Sequence, residues 1–417
     1  MNHILDRYLK DLPREVAALT GVSFCVALGF GIVAPVVPLF AKSFGVSALA
    51  ASAVISLFAL MRFLSAAPAG WLVNRLGERW VLGVGLAIVA VSSALAGTAQ
   101  TYSQLLILRA IGGTGSAMFT VSAMSLLLRT VDPQHRGRAT SLYQGGFLFG
   151  GLAGPAVGGL VVAWNIRAPF FVYAGTLTLA SLTAWLALPK GLGHPEKDES
   201  FDVSALPEKM LLAQALRIRA YWTSLTINIA TGMTSFGLRT SLIPLFVIEV
   251  LHRDARTASL GFLAGSIAQA LLLLPVGRMV DIRGRKPVLI FGTALLAITM
   301  AMMANCQTTV LFYLSVTLMG AASAFLGSAP AAVVGDVVGS RRGGQVVGLY
   351  QMTGDLGVII GPLLAGFLKD VTGGYFIPFT VGVGVSLFAL LMSVTMRETK
   401  SPSKAETTED DYDVQVS

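Results

Sequence analysis

The stretches Gly70-Trp71-Leu72-Val73-Asn74-Arg75-Leu76-Gly77-Glu78-Arg79 and Gly277-Arg278-Met279-Val280-Asp281-Ile282-Arg283-Gly284-Arg285-Lys286 are two copies of one short basic turn set 207 residues apart. The same offset relates Pro68 to Pro275, Gly85 to Gly292, Tyr143-Gln144 to Tyr350-Gln351, Gly150 to Gly357 and Gly154-Pro155 to Gly361-Pro362. Chance does not produce that set, so the chain is internally duplicated. Each turn lies between two long apolar runs, and reading outward from it resolves six such runs per copy.

Runs of about 18 or more uncharged residues, the length that crosses a hydrocarbon layer of roughly 30 Å, fall near 16–41, 48–73, 80–99, 103–128, 139–163, 168–188, 221–248, 258–280, 287–304, 308–333, 343–368 and 374–396. The expected fold is therefore an all-α membrane protein of twelve transmembrane helices in two pseudo-symmetric six-helix bundles. Composition agrees: 54% of the 417 residues are hydrophobic and 12% charged, where a soluble domain carries about 25% charged residues. The 45 glycines sit inside apolar runs, as in membrane helices that pack closely. The first run is too long and too rich in Gly and Pro for a cleaved signal peptide, and eleven more follow it.

Of the 30 Lys and Arg, 22 fall on the termini and even-numbered connections, 5 on odd-numbered connections and 3 within spans. That bias predicts a multi-pass protein of the cell (inner or plasma) membrane with both termini cytoplasmic. The expected organisation is an N-terminal bundle over 1–188, a cytoplasmic linker over 189–220, a C-terminal bundle over 221–397 and a disordered, acidic cytoplasmic tail over 398–417. The net charge of +8 punctuates the runs instead of gathering on one solvated face, so no nucleic-acid partner is expected. Cys25 and Cys306 lie in apolar stretches and the four histidines in connections, which provides no metal site and no cofactor site. With six spans per half, both copies enter from the same side, the parallel repeat of alternating-access transporters.

The turn Gly70 to Arg79, with Gly70, Asn74, Arg75, Gly77 and Arg79, resembles the loop signature G-x-L-x-D-R-x-G-R-R/K of the major facilitator superfamily. Gly277, Asp281, Gly284 and Arg285 mark its second copy. The first copy has Asn74 where the family usually has Asp, which leaves Asp281 as the better candidate for an ion-pair latch. In span 4, Leu105 to Ala117 with Arg109 and Gly113 resembles the signature L-x-x-x-R-x-x-Q-G-x-G-x-A, with Gly112 where Gln is usual. In span 5, Gly150-x-x-x-Gly154-Pro155-x-x-Gly158-Gly159 is similar to the pattern G-x-x-x-G-P-x-x-G-G of the superfamily's export-directed antiporters. Small residues let helices touch along their backbones and Pro155 supplies a bend; mere close packing is the plainer reading of the same residues.

Four ionisable residues lie well inside spans: Arg62, Arg109, Arg239 and Asp355. Each costs about 2.5–3.5 kcal/mol on insertion scales if left facing lipid, so each should face protein or water. Asp355 is the sole acid and the candidate proton carrier, a permanent salt bridge being its alternative. The resemblance implies a cavity-side role for Arg109 in proton coupling or substrate binding, against pairing with backbone carbonyls; Arg239 binds substrate or snorkels. Phe30, Phe119, Phe147, Phe236 and Tyr143 are candidates for an apolar substrate pocket, with ordinary packing as their default. Arg62 and Asp355 are equally deep in spans 2 and 11, and their counterparts by the offset, Gln269 and Leu148, are uncharged. Either they pair across the junction of the halves, or Arg62 bonds to carbonyls in its own bundle.

No G-x-x-x-x-G-K-[ST] is present, which argues against ATP-driven transport, and no H-E-x-x-H or intramembrane carboxylate pair supports a membrane enzyme. The expectation is a non-enzymatic, monomeric, proton-coupled exporter of amphipathic small molecules or drugs, whose partners are a small-molecule substrate, protons and the lipid bilayer. A dedicated exporter or proton symporter of one metabolite, sugar or metallophore is the alternative.

Overall fold

A computed structural model describes residues 13–131, 136–188, 210, 212–338 and 344–399. In a hydrocarbon solvent every backbone N–H and C=O has to be bonded within its own segment, so apolar runs become helices. They do so here: α1 Arg14–Lys42, with a bend ahead of Val37; α2 Ala48–Leu76; α3 Glu78–Thr98; α4 Tyr102–Thr130; α5 Arg136–Val162; α6 Ala168–Ala187; α8 Ala255–Arg283; α9 Arg285–Ala304; α10 Thr309–Val338; α11 Gly344–Thr372; and α12 Phe376–Thr395. These eleven are long and apolar enough to cross a membrane, and no strand occurs among the described residues.

The seventh span, predicted as one helix over 221–248, is broken. It runs as Arg219–Thr231, a π-helical stretch Gly232–Leu238, Arg239–Ser241 and Ile243–Glu249, together termed α7. Wide π turns are rare and cluster at functional positions. Here Gly232 lies against Gly354 and Gly357 of α11 and Gly237 against Pro362, so the stretch packs closely on α11. The predicted linker and tail fall mostly outside the described residues; a single turn, Leu212–Ala215, precedes α7.

The duplication is visible in the packing. Helix α1 packs on α5 and α6, α4 on α2 and α3, and α3 on α6; α7 packs on α11 and α12, α10 on α8 and α9, and α9 on α12. Two six-helix bundles result, meeting chiefly where α2 faces α11 and α5 faces α8. The side from which α1 and α7 start is the terminal side; the side where α2 and α8 start is the distal side. On the distal side the free N–H groups that begin a helix are capped by Ser47 (to Ala50 N, 3.2 Å), by a Thr101–Gln104 capping box and by Asp254 (to Thr257 N, 3.1 Å). On the terminal side, Gly77 (φ 83°) and Gly284 (φ 95°) turn α2 into α3 and α8 into α9, a left-handed conformation that glycine adopts without penalty.

Candidate functional site

The arginine at the middle of α2 reaches the acid on α11. Arg62 Nη2 donates to Asp355 Oδ1, joining the two bundles at mid-depth. Their side chains keep 38% and 29% of their surface accessible, so the pair borders open space. Both charges sit far from helix ends, where isolated ions are expensive, and each is the other's counter-ion. One turn before Asp355, the α11 backbone is tied to α7: Asn228 Nδ2 donates to Tyr350 O (2.6 Å) and to Thr353 Oγ1 (3.3 Å).

The other two intramembrane arginines have no carboxylate partner among the described residues. Arg109 is 4% exposed, with its guanidinium 4.4 Å from the centre of the Phe58 ring and an Nε that meets no acceptor. Arg239, just past the π-helical stretch, donates to Phe262 O (3.1 Å) and lies 4.7 Å over the Phe262 ring. Backbone carbonyls and ring faces offset part of a buried cation's desolvation. Among the described residues neither arginine bonds to Arg62 or Asp355, although Phe58, under Arg109, is one turn from Arg62 on α2.

The aromatic candidates divide in two. Phe119, Tyr143 and Phe147 form one cluster between α4 and α5, with ring centres 5.2 Å apart for Tyr143–Phe147 and 6.3 Å for Phe119–Phe147; Phe119 and Tyr143 are buried. Phe30 and Phe236 are exposed. On α1, Gly29 faces Tyr173 and Thr176 of α6 while Gly31 faces Gly154 and Pro155 of α5, so Phe30 projects between those directions, away from both neighbours.

The glycine pattern in α5 is a contact surface. A Cβ at Gly154 would lie 2.7 Å from Gly31 Cα and Leu28 O, and one at Gly158 3.0 Å from Ile32 Cα and O; Gly150 sits against Phe24 O in the same way. Three glycines thus press α5 onto the α1 backbone, and Gly159 turns instead to Ser259 and Arg256 of α8 in the other bundle. The duplicate follows: Gly357 and Gly361 press α11 onto Ile229, Gly232 and Met233 of α7.

Sequence reasoning missed two charged constellations. The first closes the distal side. Asp370 of α11 accepts from Ala48 N (2.9 Å) and Leu49 N (2.7 Å) at the start of α2, where a carboxylate also meets the positive end of the helix dipole. Beside it Glu249 binds Lys369 (2.8 Å), Lys42 (3.7 Å) and the Tyr375 hydroxyl (2.8 Å). Burial, and then the neighbouring Glu249 carboxylate, hold the Tyr375 phenol well above its ordinary range, so it remains a donor. Side chains thus link the two bundles in this distal set and, at mid-depth, in the Arg62–Asp355 pair.

The second lies at the terminal side, within each bundle. Glu78 at the start of α3 is buried and accepts from Arg129 (2.6 Å) and Ser125 (3.0 Å) at the end of α4. Arg285 at the start of α9 donates to Asp336 (2.9 Å) at the end of α10. By the 207-residue offset Glu78 matches Arg285 and Arg129 matches Asp336, so the same pair is built with its charges exchanged. The signal was present in the aligned copies. Asp281, the expected latch residue, is exposed and makes no ion pair among the described residues, and Asn74 is exposed likewise.

Residues 19–265 and 225–415 match the sequence model of the Major Facilitator Superfamily. Multidrug resistance protein 1 of Bacillus subtilis (strain 168) is 26% identical over 380 residues, covering 87% of this chain and 92% of that protein. The quinolone resistance protein NorA of Staphylococcus aureus (strain MSSA476) is 22% identical over 403 residues, covering 95% of this chain and 100% of that one. Among solved structures, a bacterial homologue of the human lysosomal transporter Spinster, in an inward-facing and unoccupied conformation, superimposes with a TM-score of 0.73 at 16% identity, over 94% of this chain and 99% of that one.

Proposed function

The chain belongs to the Major Facilitator Superfamily and is a multi-pass membrane transporter, and from that premise we propose that it is a proton-coupled exporter of amphipathic small molecules, working by alternating access in the cell membrane. The observation that carries the reading is the Arg62–Asp355 ion pair, the one intramembrane acid bonded to the opposite bundle at mid-depth. A proton on Asp355 removes the charge that holds Arg62, so protonation and the relative position of the bundles are linked through one bond. The Lys and Arg bias supports a cytoplasmic terminal side, and on that reading the protein, with its distal contacts formed, is inward-facing. The α5 glycine contacts and the relatives named for multidrug and quinolone resistance favour export of drug-like molecules.

The substrate site on this reading lies between the bundles, bordered by the Arg62–Asp355 pair, with the exposed rings of Phe30 and Phe236 as apolar contacts. Arg109 and Arg239 and the Phe119–Tyr143–Phe147 cluster would join it in another state. The test is a proteoliposome screen of dyes, antibiotics and metabolites with and without an imposed pH gradient. Gradient-dependent extrusion of at least one amphipathic compound is expected. Gradient-driven uptake of a single metabolite would move the protein to the symporters.

A further inference from the structure

Three of the five tryptophans, Trp71, Trp80 and Trp185, lie at the terminal-side ends of α2, α3 and α6, interleaved with Arg75 and Arg79. The guanidinium of Arg75 sits 4.2 Å from the Trp71 ring centre and that of Arg79 5.9 Å from the Trp185 ring centre, while Trp80 and Trp185 meet edge to face at 4.3 Å. Trp185 reaches this position because Gly83 on α3 has no side chain where the indole lies. Trp71 and Trp80 are more than half exposed.

The two arginines are uncompensated. Neither pairs with a carboxylate among the described residues, and the acid next to them, Glu78, is turned inward onto Arg129 and Ser125. Position 74 is Asn, so the turn brings no second acid. Arg79 Nη2 donates to Trp185 O at the end of α6, which fixes the guanidinium in place, and its Nε is buried without an acceptor. A fixed guanidinium with donors to spare, beside exposed indoles at the end of membrane helices, has the chemistry of a phospholipid headgroup site: arginines for the phosphodiester, indoles for the boundary between chains and headgroups.

The duplication supplies an internal comparison. At the equivalent positions of the second bundle stand Arg278, Ile282, Lys286, Pro287 and Met392 in place of Trp71, Arg75, Arg79, Trp80 and Trp185. The fold therefore does not require the Trp–Arg cluster, and it occurs in one bundle only.

We propose that Trp71, Arg75, Arg79, Trp80 and Trp185 form a binding site for the phosphate headgroup of an anionic phospholipid in the leaflet facing the terminal side. The orientation proposed above makes that the cytoplasmic leaflet, where anionic lipid attracts basic side chains. The test uses the full chain in nanodiscs with Trp164 and Trp222 replaced by Phe, so that emission comes from the three clustered tryptophans. Quenching is compared between phosphatidylglycerol and phosphatidylcholine, each brominated near the top of the acyl chain. The expected preference for the anionic lipid is on the order of fivefold per arginine, the strength of one basic side chain at such a surface. It should fall to near unity in Arg75→Gln/Arg79→Gln and persist in Arg278→Gln/Lys286→Gln. Equal quenching by the two lipids, or equal loss in both double variants, overturns the site. Loss of the preference on adding inorganic phosphate would assign the cluster to a soluble anion and overturn it too. Both leaflets of a nanodisc have one composition and no transport is measured, so the outcome is independent of orientation, substrate and coupling.

Discussion

Arg62 of α2 and Asp355 of α11 are 293 residues apart and are each other's counter-ion across the junction of the two bundles. Removing one partner of a buried pair costs about 3–5 kcal/mol because a lone charge remains, and the partial exposure of this pair screens part of that. Arg62→Asp and Asp355→Arg should each lower thermal stability and yield. The double exchange Arg62→Asp/Asp355→Arg should recover most of the loss, read as the melting temperature of the purified protein. A double variant worse than either single change would mean that the two charges are stabilised independently.

A methyl group is enough to test the α5 glycine surface. Gly154 faces backbone atoms of α1 that cannot move aside, whereas nothing lies within 4 Å of a Cβ at Gly151. Gly154→Ala should reduce transport by about tenfold or more, the rate consequence of roughly 1.4 kcal/mol, with insertion intact. Gly151→Ala should leave transport near wild type. Equal behaviour of the two would make the packing incidental to the cycle.

The terminal-side pair Glu78–Arg129 predicts an asymmetry between its partners. Arg129→Ala strands a carboxylate that is almost wholly buried, at a cost of about 3–5 kcal/mol. Glu78→Ala leaves an arginine that is 40% exposed and can be hydrated, so its cost should be about 1 kcal/mol or less. The exchange Glu78→Arg/Arg129→Asp copies the second bundle and should be more stable than Arg129→Ala. Chemical denaturation in detergent ranks the three; a larger loss in Glu78→Ala than in Arg129→Ala would contradict the geometry.

The distal contacts should set how often that side opens. Ser52 is fully buried beside the place where Gly366 of α11 packs on α2. A cysteine there, with Cys25 and Cys306 replaced by Ser, should label slowly with a maleimide that does not cross membranes. Adding Glu249→Gln leaves Lys42 and Lys369 without their shared anion, and Asp370→Asn removes the charged cap from α2. Each should raise the labelling rate about tenfold; an unchanged rate would show the network to be ornamental to closure.

Much of this was legible in the chain because a hydrocarbon solvent makes simple demands. Uncharged length gives the spans, the offset gives two like bundles, and the cost of lone charges makes Arg62 and Asp355 candidates for a pair, with carbonyls of Arg62's own bundle as the open alternative. What was not legible depends on pairs brought together from afar. Lys42, Glu249, Lys369 and Asp370 lie in connections or at helix ends, where charge is cheap and a partner is not demanded. The π-helical stretch of α7, packed closely against α11, is a feature that no local propensity reports. Glu78–Arg129 could have been read from the aligned copies, but charge exchange hides a pair from a search for identities. The aromatic positions were the least legible, since an apolar ring suits both a packed core and a substrate wall, and only Phe30 and Phe236 are left open in this state.

The central claim is that proton movement and the bundles are linked through Asp355. In proteoliposomes holding a pH-sensitive dye, adding a substrate found in the screen should drive a pH change in the wild type. Asp355→Asn, an uncharged isostere, should give no pH change while still exchanging labelled for unlabelled substrate at equal concentrations, which shows that the variant is folded and binds. A pH change of wild-type size from Asp355→Asn would contradict the account.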